Sequence, residues 1–300
     1  MTTTATLPPA PQRSATVPLV GKDGGSWPVR QTGSGPAAPQ GKLSDLLQVM
    51  GVSAEDRPLG EAYAIPIRRL RNGVTLFHEG APAEALHIIQ LGTFKSLKVA
   101  EDGYEQVLGF AGPGDILGFD GLASGQHQTA AAALEDSRVY AVPLRGLDTL
   151  RQRVPAFDRA LQAAISRQLV HTAEVAEVMS AVAAEVRLAR FLVQVSSHMA
   201  QRGQSPRRLL LRMNRRDIAS YLGVAHATAS RSFGALAEAG YLAVDNRAVD
   251  ILDLEGLKLC ARNTRGSLDD QGELPALAKK APPAAAASLK GRVSGAPAAR

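Results

Sequence analysis

NRRDIASYLGVAHATASRSFGALAEAG, the stretch Asn214–Gly240, has the pattern of two short helices joined by a tight turn. Asn214 is a good N-cap for the first helix, and Gly223 stands where the backbone must turn sharply. Ala219 is small enough for the two helices to cross closely, and Gly240 suits the end of the second. The pattern predicts a helix-turn-helix, although an αα-hairpin inside a helical domain would share the same turn.

The predicted second helix begins near His226 and presents side chains that can reach base edges or phosphates of DNA. His226 itself can contact a base, contact a phosphate or lie in solvent, and these roles remain open. The predicted DNA-contacting residues are Arg231, Ser230, Thr228, His226 and Ala227 on this helix, with Arg215 and Arg216 at the start of the first.

The net charge of +6 is distributed unevenly along the chain. Residues 43–185 contain 12 basic and 18 acidic residues, whereas residues 186–262 contain 12 basic and 6 acidic residues. The basic part includes six arginines and no acid between Arg202 and Arg216. Because phosphate neutralisation supplies most of the non-specific affinity for DNA, this distribution favours double-stranded DNA as a partner over a merely solvated charged face.

Cys260 is the only cysteine, which excludes an intramolecular disulfide and any metal site or cluster built from several thiolates. Its expected role is that of a small apolar residue on a C-terminal helix. No apolar run reaches the length of a membrane span, and the first residues lack the features of a signal peptide. We therefore expect a cytoplasmic protein without a membrane partner and without a metal site.

The sequence predicts an α+β fold class, and its composition divides the chain into five segments. Residues 1–42, rich in Pro, Gly, Ser and Thr, are expected to be disordered. Residues 43–153 begin with an amphipathic helix and continue as short β-type runs separated by turn glycines, which predicts an antiparallel β-barrel or jelly roll. Residues 154–183 predict a long helix, residues 184–262 a winged helix-turn-helix, and residues 263–300 a disordered basic tail.

A seven-residue apolar repeat along the predicted long helix indicates a coiled-coil seam. Such a stripe can pair two copies in a homodimer or pack on the protein's own barrel, and we expect both on different faces of the helix. The predicted dimer seam consists of Ile165, Thr172, Val175, Met179, Val182 and Val186.

The order of these parts resembles the CRP/FNR family of bacterial transcription regulators over about residues 62–262. The closer likeness is to the FNR branch, on the motifs TLFHEG and DGYEQVLGFAGPGDILGFDGLASG and on the pair Ser230-Arg231. The resemblance implies a cyclic-nucleotide-binding-like barrel, a dimerisation helix and a winged helix-turn-helix. It also implies a homodimeric regulator, not an enzyme, that activates transcription at a palindromic DNA site.

Surface loops of the barrel contact RNA polymerase in this family. The resemblance assigns that contact to Glu101, Asp102, Gly103, Tyr104 and Glu105. The arrangements typical of enzymes, such as a Ser-His-Asp set, paired carboxylates or a phosphate loop, do not stand out anywhere in the sequence.

Two departures from the family pattern concern its ligands. Cyclic-nucleotide-binding members have Gly-Glu-Leu followed by Arg-Ser/Thr-Ala, where this chain has Gly118-Phe119-Asp120 and Gln128-Thr129-Ala130. Without the arginine a buried phosphate lacks its bidentate partner, so we expect no cyclic AMP. Iron–sulfur members use N-terminal cysteines and one barrel cysteine, but this N-terminus has none and Tyr140 stands at the barrel position. We therefore expect no cofactor.

Some cluster-free members of the family resemble haem-based nitric-oxide sensors. The alternative hypothesis is therefore a haem or other small-ligand receptor of the same fold with little specific DNA binding. The candidate axial ligands are His78, His87, His127 and His171, each of which is more simply explained as a surface or hydrogen-bonded histidine.

A third departure lies in the predicted recognition helix. The family pattern there is Glu-x-x-Ser-Arg, and Ala227 occupies the position of the Glu. Arg231 can still pair bidentately with a guanine, which is worth roughly 1–3 kcal/mol of discrimination. The missing carboxylate removes an acceptor suited to cytosine, so the half-site need not be the usual one of the family.

Overall fold

The computed structural model describes residues 39–55 and 63–263, together with the backbone of two strands nearer the N-terminus. These strands, β1 (Thr16–Val20) and β2 (Ser26–Arg30), pair antiparallel, and β3 (Gln40–Lys42) joins a barrel sheet. All three strands fall within residues 1–42, which the composition predicts to be disordered; the TVPLV and SWPVR segments contain residues that favour extended backbone. The remainder of residues 1–42, and the predicted tail beyond Asn263, lie outside the described residues.

Two antiparallel sheets form the N-terminal domain. The first has the strand order β5-β10-β7-β8, and the second has the order β3-β4-β11-β6-β9. This arrangement confirms the predicted jelly-roll-like barrel. Its strands after β3 are β4 (Ala64–Leu70), β5 (Thr75–Phe77), β6 (Ala85–Leu91), β7 (Phe94–Val99), β8 (Glu105–Ala111), β9 (Ile116–Leu117), β10 (Ala130–Ala133) and β11 (Ser137–Pro143).

Glycine between the strands serves the backbone, as predicted. Gly92, between β6 and β7, has a φ of 98°, and a Cβ there would lie 2.0 Å from the Ser137 hydroxyl oxygen. Only glycine fits both the left-handed backbone and this close contact. The turn keeps β6 and β7 in the two different sheets that enclose the core.

Helices cover one end of the barrel. The predicted amphipathic helix is α1 (Leu43–Val49), whose three leucines, Leu43, Leu46 and Leu47, are fully buried. They belong to one apolar cluster with Tyr140 of the barrel and Phe157 of the long helix. Burial of each such side chain contributes roughly 1.5–3 kcal/mol, so this cluster fixes the long helix against the barrel.

A short helix, α2 (Leu147–Arg153), leads into the long helix α3 (Pro155–Ser180), which starts with proline at its first position. α3 ends at Ser180 because Ala181 takes an extended conformation, and the next helix, α4 (Ala184–Gln201), begins after three residues. Val182 therefore lies beyond α3 and Val186 lies in α4, so the predicted continuous seam through these two valines is interrupted.

The C-terminal domain confirms the winged helix-turn-helix. Strand β12 (Arg208–Leu210) pairs with β14 (Ala248–Ile251), and β14 pairs with β13 (Leu242–Asp245) to form the predicted wing. The two helices of the motif are α5 (Arg215–Leu222) and α6 (His226–Glu238), and α7 (Leu254–Arg262) closes the domain. In the part of the chain that the structure describes, no helix is both long and apolar enough to cross a membrane.

Candidate nucleic-acid interface

The turn of the helix-turn-helix forms as the sequence predicts. The Asn214 side chain accepts a hydrogen bond from the Asp217 amide at 2.8 Å, and the Asp217 carboxylate accepts one from the Asn214 amide at 3.1 Å, so α5 begins with a complete capping box. α5 ends at Gly223, whose φ of 63° is left-handed. The polypeptide can therefore reverse direction between α5 and α6 with little strain.

One face of α6 is open to solvent over its first two turns. His226, Ala227, Ser230 and Arg231 are exposed on this face, whereas Ala229 is buried against the rest of the domain. The N-cap residue Ala225 provides no side-chain cap, so the first amide groups of α6 have no capping side chain. A helix start of this kind is suited to bind a phosphate.

Arg231 has one side-chain contact in the described structure. Its guanidinium donates to the Thr228 hydroxyl at 3.3 Å, one helical turn earlier. This contact leaves most of the guanidinium donors available and holds the side chain over the exposed face of α6. Arg231, Ser230 and Thr228 therefore lie close together at the start of α6.

Arg215 has a different environment from the one predicted. Its guanidinium carbon lies 3.5 Å from the centre of the Phe233 ring, and it donates to the Asn246 carbonyl in the wing at 2.9 Å. Burial lowers the pKa of Arg215. Arg215 therefore links α5, α6 and the wing, while its neighbour Arg216 is exposed and available to a phosphate.

Ser232 stands where a larger apolar residue would be expected to anchor α6. The side chain is buried, and its hydroxyl donates to the Thr228 carbonyl at 3.0 Å, so its polar group is satisfied within the helix. Phe233, Leu236 and Ala229 supply the apolar contacts instead. Residues near Ser232 on the same helix therefore anchor α6.

Helix α5 also packs directly on the barrel, a contact that the sequence did not reveal. The Ser220 hydroxyl donates to the Glu105 carbonyl at 2.8 Å and accepts from the Val107 amide at 2.8 Å. The Lys95 ammonium lies 2.9 Å from Asp217 and 2.8 Å from Glu105. The first helix of the motif is therefore held to strands β7 and β8 by buried polar contacts.

The Lys95 contacts affect its protonation. Burial would lower the pKa of Lys95, but hydrogen bonds and charge attraction from Glu105 and Asp217 outweigh it, so the pKa is raised. Lys95 therefore stays positively charged at neutral pH. The side chains of Lys95 and Asp217 are only 15% and 6% exposed, so water screens this pair weakly.

The residues assigned to the RNA polymerase contact form the hairpin turn between β7 and β8. Residues 101–105 are all exposed, Gly103 has a φ of 81°, and the Asp102 carboxylate accepts from the Tyr104 amide at 2.9 Å. Glu105 differs from the others because it is paired with Lys95. The turn therefore presents residues 101–104 to solvent next to the helix-turn-helix.

The outer face of α3 presents a row of exposed side chains at alternating steps of four and three residues. The row comprises Ile165, Leu169, Thr172, Ala176 and Met179. Val175, by contrast, packs against the core of the C-terminal domain, and Val186 is buried in the same core. Three of the six predicted seam residues therefore share one exposed face, on which Ala176 takes the place predicted for Val175 and Leu169, which the prediction did not include, fills the interval between Ile165 and Thr172.

A carboxylate occupies the cradle formed by the two loops that the sequence singled out in the barrel. The Asp120 carboxylate accepts from the Gln128 amide at 2.9 Å, from the Thr129 amide at 2.9 Å and from the Thr129 hydroxyl at 2.8 Å. His127 lies 3.3 Å from the same carboxylate. Three donors that could hold a bound anion are thus already engaged by a side chain of the protein.

Two of the candidate haem ligands, His87 and His127, are buried next to Phe77. The rings of Phe77 and His127 are stacked with centroids 3.7 Å apart, and the His87 ring is 5.8 Å from Phe77. Burial lowers the pKa of His87 to about 3, and its Nδ1 has no hydrogen-bond partner among the described residues. In this arrangement neither imidazole is open to a porphyrin plane, so these two residues do not fit a haem.

The other two candidate histidines lie elsewhere. His78 is exposed after β5, and His171 lies on α3 with its Nδ1 3.4 Å from the Glu174 carboxylate. Within the described residues no group of three or more His, Cys, Asp or Glu side chains is arranged to hold a metal ion. The sole thiol, Cys260, is buried in α7, where desolvation raises its pKa to about 11, so it stays protonated.

Both domains are similar to domains of known protein families. A cyclic nucleotide-binding domain model matches residues 67–154, and a Crp-like helix-turn-helix domain model matches residues 186–260. The fumarate and nitrate reduction regulatory protein of Salmonella typhimurium is 37% identical over 196 residues, which is 65% of this chain and 78% of the relative. The chain belongs to the CRP/FNR family of transcription regulators.

Solved structures of other CRP/FNR regulators share this fold. FixK2 from Bradyrhizobium japonicum has a TM-score of 0.59 and 25% sequence identity, covering 68% of this chain and 99% of FixK2. A CRP/FNR-family regulator from Thermus thermophilus has a TM-score of 0.54 and 21% identity, covering 66% of this chain and 99% of that one. As a member of this family, the protein is a helix-turn-helix transcription regulator and not an enzyme.

Membership of the family allows three barrel residues to be compared with the residues that hold ligands in other members. The cradle filled by Asp120 lies in the cyclic-nucleotide-binding domain of this CRP/FNR regulator, with Gln128 where a phosphate-binding arginine was sought. The position expected to hold a barrel cysteine is Tyr140, which is fully buried, and its hydroxyl accepts from the Gln90 amide group at 3.0 Å. The residues present therefore do not fit a cluster held by four cysteine thiolates.

Proposed function

We propose that this CRP/FNR regulator is a homodimer that binds a palindromic DNA site and activates transcription there. The observation that carries the proposal is the exposed face of α6, on which Arg231 and Ser230 project beside an uncapped helix start. Arg231 reads a guanine in the major groove, and Arg216 with the first amides of α6 contacts the phosphates.

A homodimer supplies the second recognition helix that a palindromic site requires. The exposed row on α3 that contains Ile165, Leu169 and Met179 follows the four–three spacing of a coiled-coil seam, and the side chain of Leu169 is 69% exposed in the single chain. An apolar side chain so exposed on a long helix gains stability by pairing with its copy. Two recognition helices in such a dimer enter successive major grooves about 34–36 Å apart.

The regulator acts without a cyclic nucleotide and without an iron–sulfur cluster. The cradle of the barrel is satisfied internally by Asp120, and the chain has a single cysteine. The exposed turn at residues 101–104 contacts RNA polymerase at activated promoters. This last assignment is supported by the family resemblance and by the position of the turn beside α5, which Ser220 joins to Glu105.

Selection of bound sequences from a pool of random duplexes tests the DNA-binding function. The expected result is an enriched palindrome whose half-sites are separated by about one helical turn, with a guanine at the position that Arg231 reads. Enrichment of no sequence above the starting pool would refute it.

The dimer is tested separately by the substitution Leu169→Glu, which places charges on the seam. Analytical ultracentrifugation is expected to show a dimer for the wild-type protein and a monomer for the variant. The matched control is Leu259→Glu, since Leu259 is an exposed leucine on α7, away from the seam. Equal masses for the two variants would contradict the assignment of the seam to α3.

A further inference from the structure

Two arginines of α4, Arg187 and Arg190, join the C-terminal end of α3 to helices of the DNA-binding domain. Arg187 donates from Nε to the Ala181 carbonyl at 2.8 Å and from Nη1 to the Leu222 carbonyl at 2.9 Å. Ala181 directly follows α3, and Leu222 is the last residue of α5. Arg187 therefore bridges the end of the long helix and the end of the first helix of the helix-turn-helix.

Arg190 makes a second bridge of the same kind, and its side chain is buried. Its Nε donates to the Ala261 carbonyl, near the end of α7, at 2.7 Å. Its Nη1 donates to the Ser180 hydroxyl at 2.7 Å and to the Glu177 carbonyl, both in the last turn of α3. The last carbonyl groups of a helix carry partial negative charge and lack partners within the helix, so a guanidinium group is a strong donor to them. Arg190 therefore bridges the ends of α3 and α7.

The last turn of α3 is also part of the apolar core of the C-terminal domain. Val178 and Ala181 are buried, and both belong to one cluster with Leu222 of α5 and Phe233 of α6. The first turns of α3, by contrast, pack on the barrel through Phe157. This helix of 26 residues, about 39 Å long at 1.5 Å per residue, therefore runs from the core of the barrel to the core of the C-terminal domain.

The same helix carries the exposed row that forms the seam of the proposed dimer. Met179, the last residue of that row, lies between Glu177 and Ser180, the two α3 residues that Arg190 contacts. The two arginine bridges therefore hold α5 and α7 at a fixed position relative to the seam, and α6 follows α5 after the tight turn. Because the seam aligns the two copies of α3, these bridges fix the separation of the two recognition helices.

We propose that Arg187 and Arg190 are positioning residues that set the spacing of the two half-sites, and this inference rests on the proposed function. Each base pair inserted between the half-sites moves one of them by about 3.4 Å along the duplex and by about one tenth of a turn around it. A rigid joint cannot follow this movement, so Arg231 of one subunit loses its guanine. Without the bridges, each recognition helix can reach its half-site at several spacings.

The test uses the selected palindrome and duplexes in which the spacer between its half-sites is one or two base pairs longer or shorter. Affinity is measured for the wild-type protein and for Arg187→Met and Arg190→Met, which remove a guanidinium group and keep an apolar stem. Arg187 is only half-buried, so its variant decides the test if Arg190→Met does not fold. The matched control is Arg207→Met, because Arg207 donates to the carbonyls of Ile251 and Leu252 at 3.4 and 3.0 Å, within the C-terminal domain alone.

The wild-type protein and Arg207→Met are expected to prefer the selected spacing by at least about tenfold over a spacing that differs by one base pair, since a lost bidentate base contact is worth about 5- to 150-fold. Arg187→Met and Arg190→Met are expected to bind these spacings within about threefold of one another, because the loosened joint restores the base contact. Both variants still discriminate against a replaced guanine within a half-site as the wild-type protein does. A general loss of folding would abolish that discrimination as well.

Three results would overturn the inference. The first is an Arg187→Met variant that keeps the wild-type preference for one spacing, and the second is an Arg207→Met control that loses this preference as fully as Arg187→Met does. The third is a wild-type protein that reads the guanine but binds all spacings alike. A wild-type protein that selects no palindrome would refute the proposed function instead, so the two failures are distinguishable.

Discussion

The contact between Lys95 and Asp217 joins the barrel to the helix-turn-helix, and the substitution Lys95→Met removes its positive charge while keeping a similar apolar stem. The Asp217 carboxylate then remains almost buried, 6% exposed, without the ammonium group that now lies 2.9 Å away. Breaking a buried ion pair by removing one partner costs roughly 3–5 kcal/mol. In the variant, the Asp217 carboxylate still accepts the hydrogen bond from the Asn214 amide at 3.1 Å and still lies in the first turn of α5, where the helix dipole favours a negative charge. We therefore expect the free energy of unfolding to fall by a smaller amount, about 2–3 kcal/mol.

A loss of this size is measurable by heat denaturation. For a folded region of about 200 residues, 1 kcal/mol changes the Tm by roughly 2–4 °C, so the Tm is expected to fall by about 5–10 °C. The control is Lys98→Met on the same strand. Lys98 is 52% exposed and 3.9 Å from Glu79, so its loss is expected to cost less than about 1 kcal/mol.

The double variant Lys95→Met/Asp217→Asn completes the comparison. Because the amide is neutral, it no longer needs the ammonium group, and much of the stability lost in Lys95→Met should return. The pKa of Lys95 is raised in the folded protein, so its contribution is complete at neutral pH and is lost only as the pH rises through that raised value. A Lys95→Met variant no less stable than Lys98→Met would refute the coupling between the two domains.

Three other properties follow from the same structure. Gly223→Ala is expected to cost about 1–2 kcal/mol in chemical denaturation, because Gly223 has a φ of 63°; a loss no larger than that of Gly234→Ala, inside α6, would contradict this. His87 is buried with its pKa lowered to about 3, so the unfolded chain binds a proton that the folded protein does not, and stability should fall by up to about 1.4 kcal/mol per pH unit below about pH 6; the same pH dependence in His87→Phe would exclude His87 as its cause. Cys260, with its pKa raised to about 11, should react with a thiol reagent at pH 8 only as fast as the protein unfolds; rapid reaction of the native protein would show that α7 opens.

The elements with a strong local pattern could be predicted from the sequence. Asn214 and Gly223 gave both ends of α5 because capping and left-handed backbone are properties of a few neighbouring residues. The order of barrel, long helix and wing followed from the spacing of turn glycines and from the change of period. The resemblance to the CRP/FNR family extended these local patterns to a whole architecture.

Features that depend on distant residues were missed. Ser220 pairs with β8, more than one hundred residues away in the sequence. Arg215 turns toward Phe233 and the wing, and Asp120 fills a cradle made by residues 128 and 129 in the next loop, and neither contact follows a helix or strand period. The heptad pattern predicted the long helix and three of the residues on its exposed face. It could not tell which apolar stripe packs on the protein itself, and Val175 proved to face the C-terminal core while Leu169 is exposed.

The central claim is that the exposed face of α6 reads DNA through Arg231. The most direct test is the affinity of the wild-type protein and of Arg231→Ala for the selected palindrome, and for the same duplex with the guanine at the Arg231 position replaced. The wild-type protein is expected to lose roughly 1–3 kcal/mol of binding free energy per replaced base pair, while Arg231→Ala binds both duplexes equally and keeps its non-specific affinity. An Arg231→Ala variant that still prefers the original palindrome by the wild-type margin would contradict the claim.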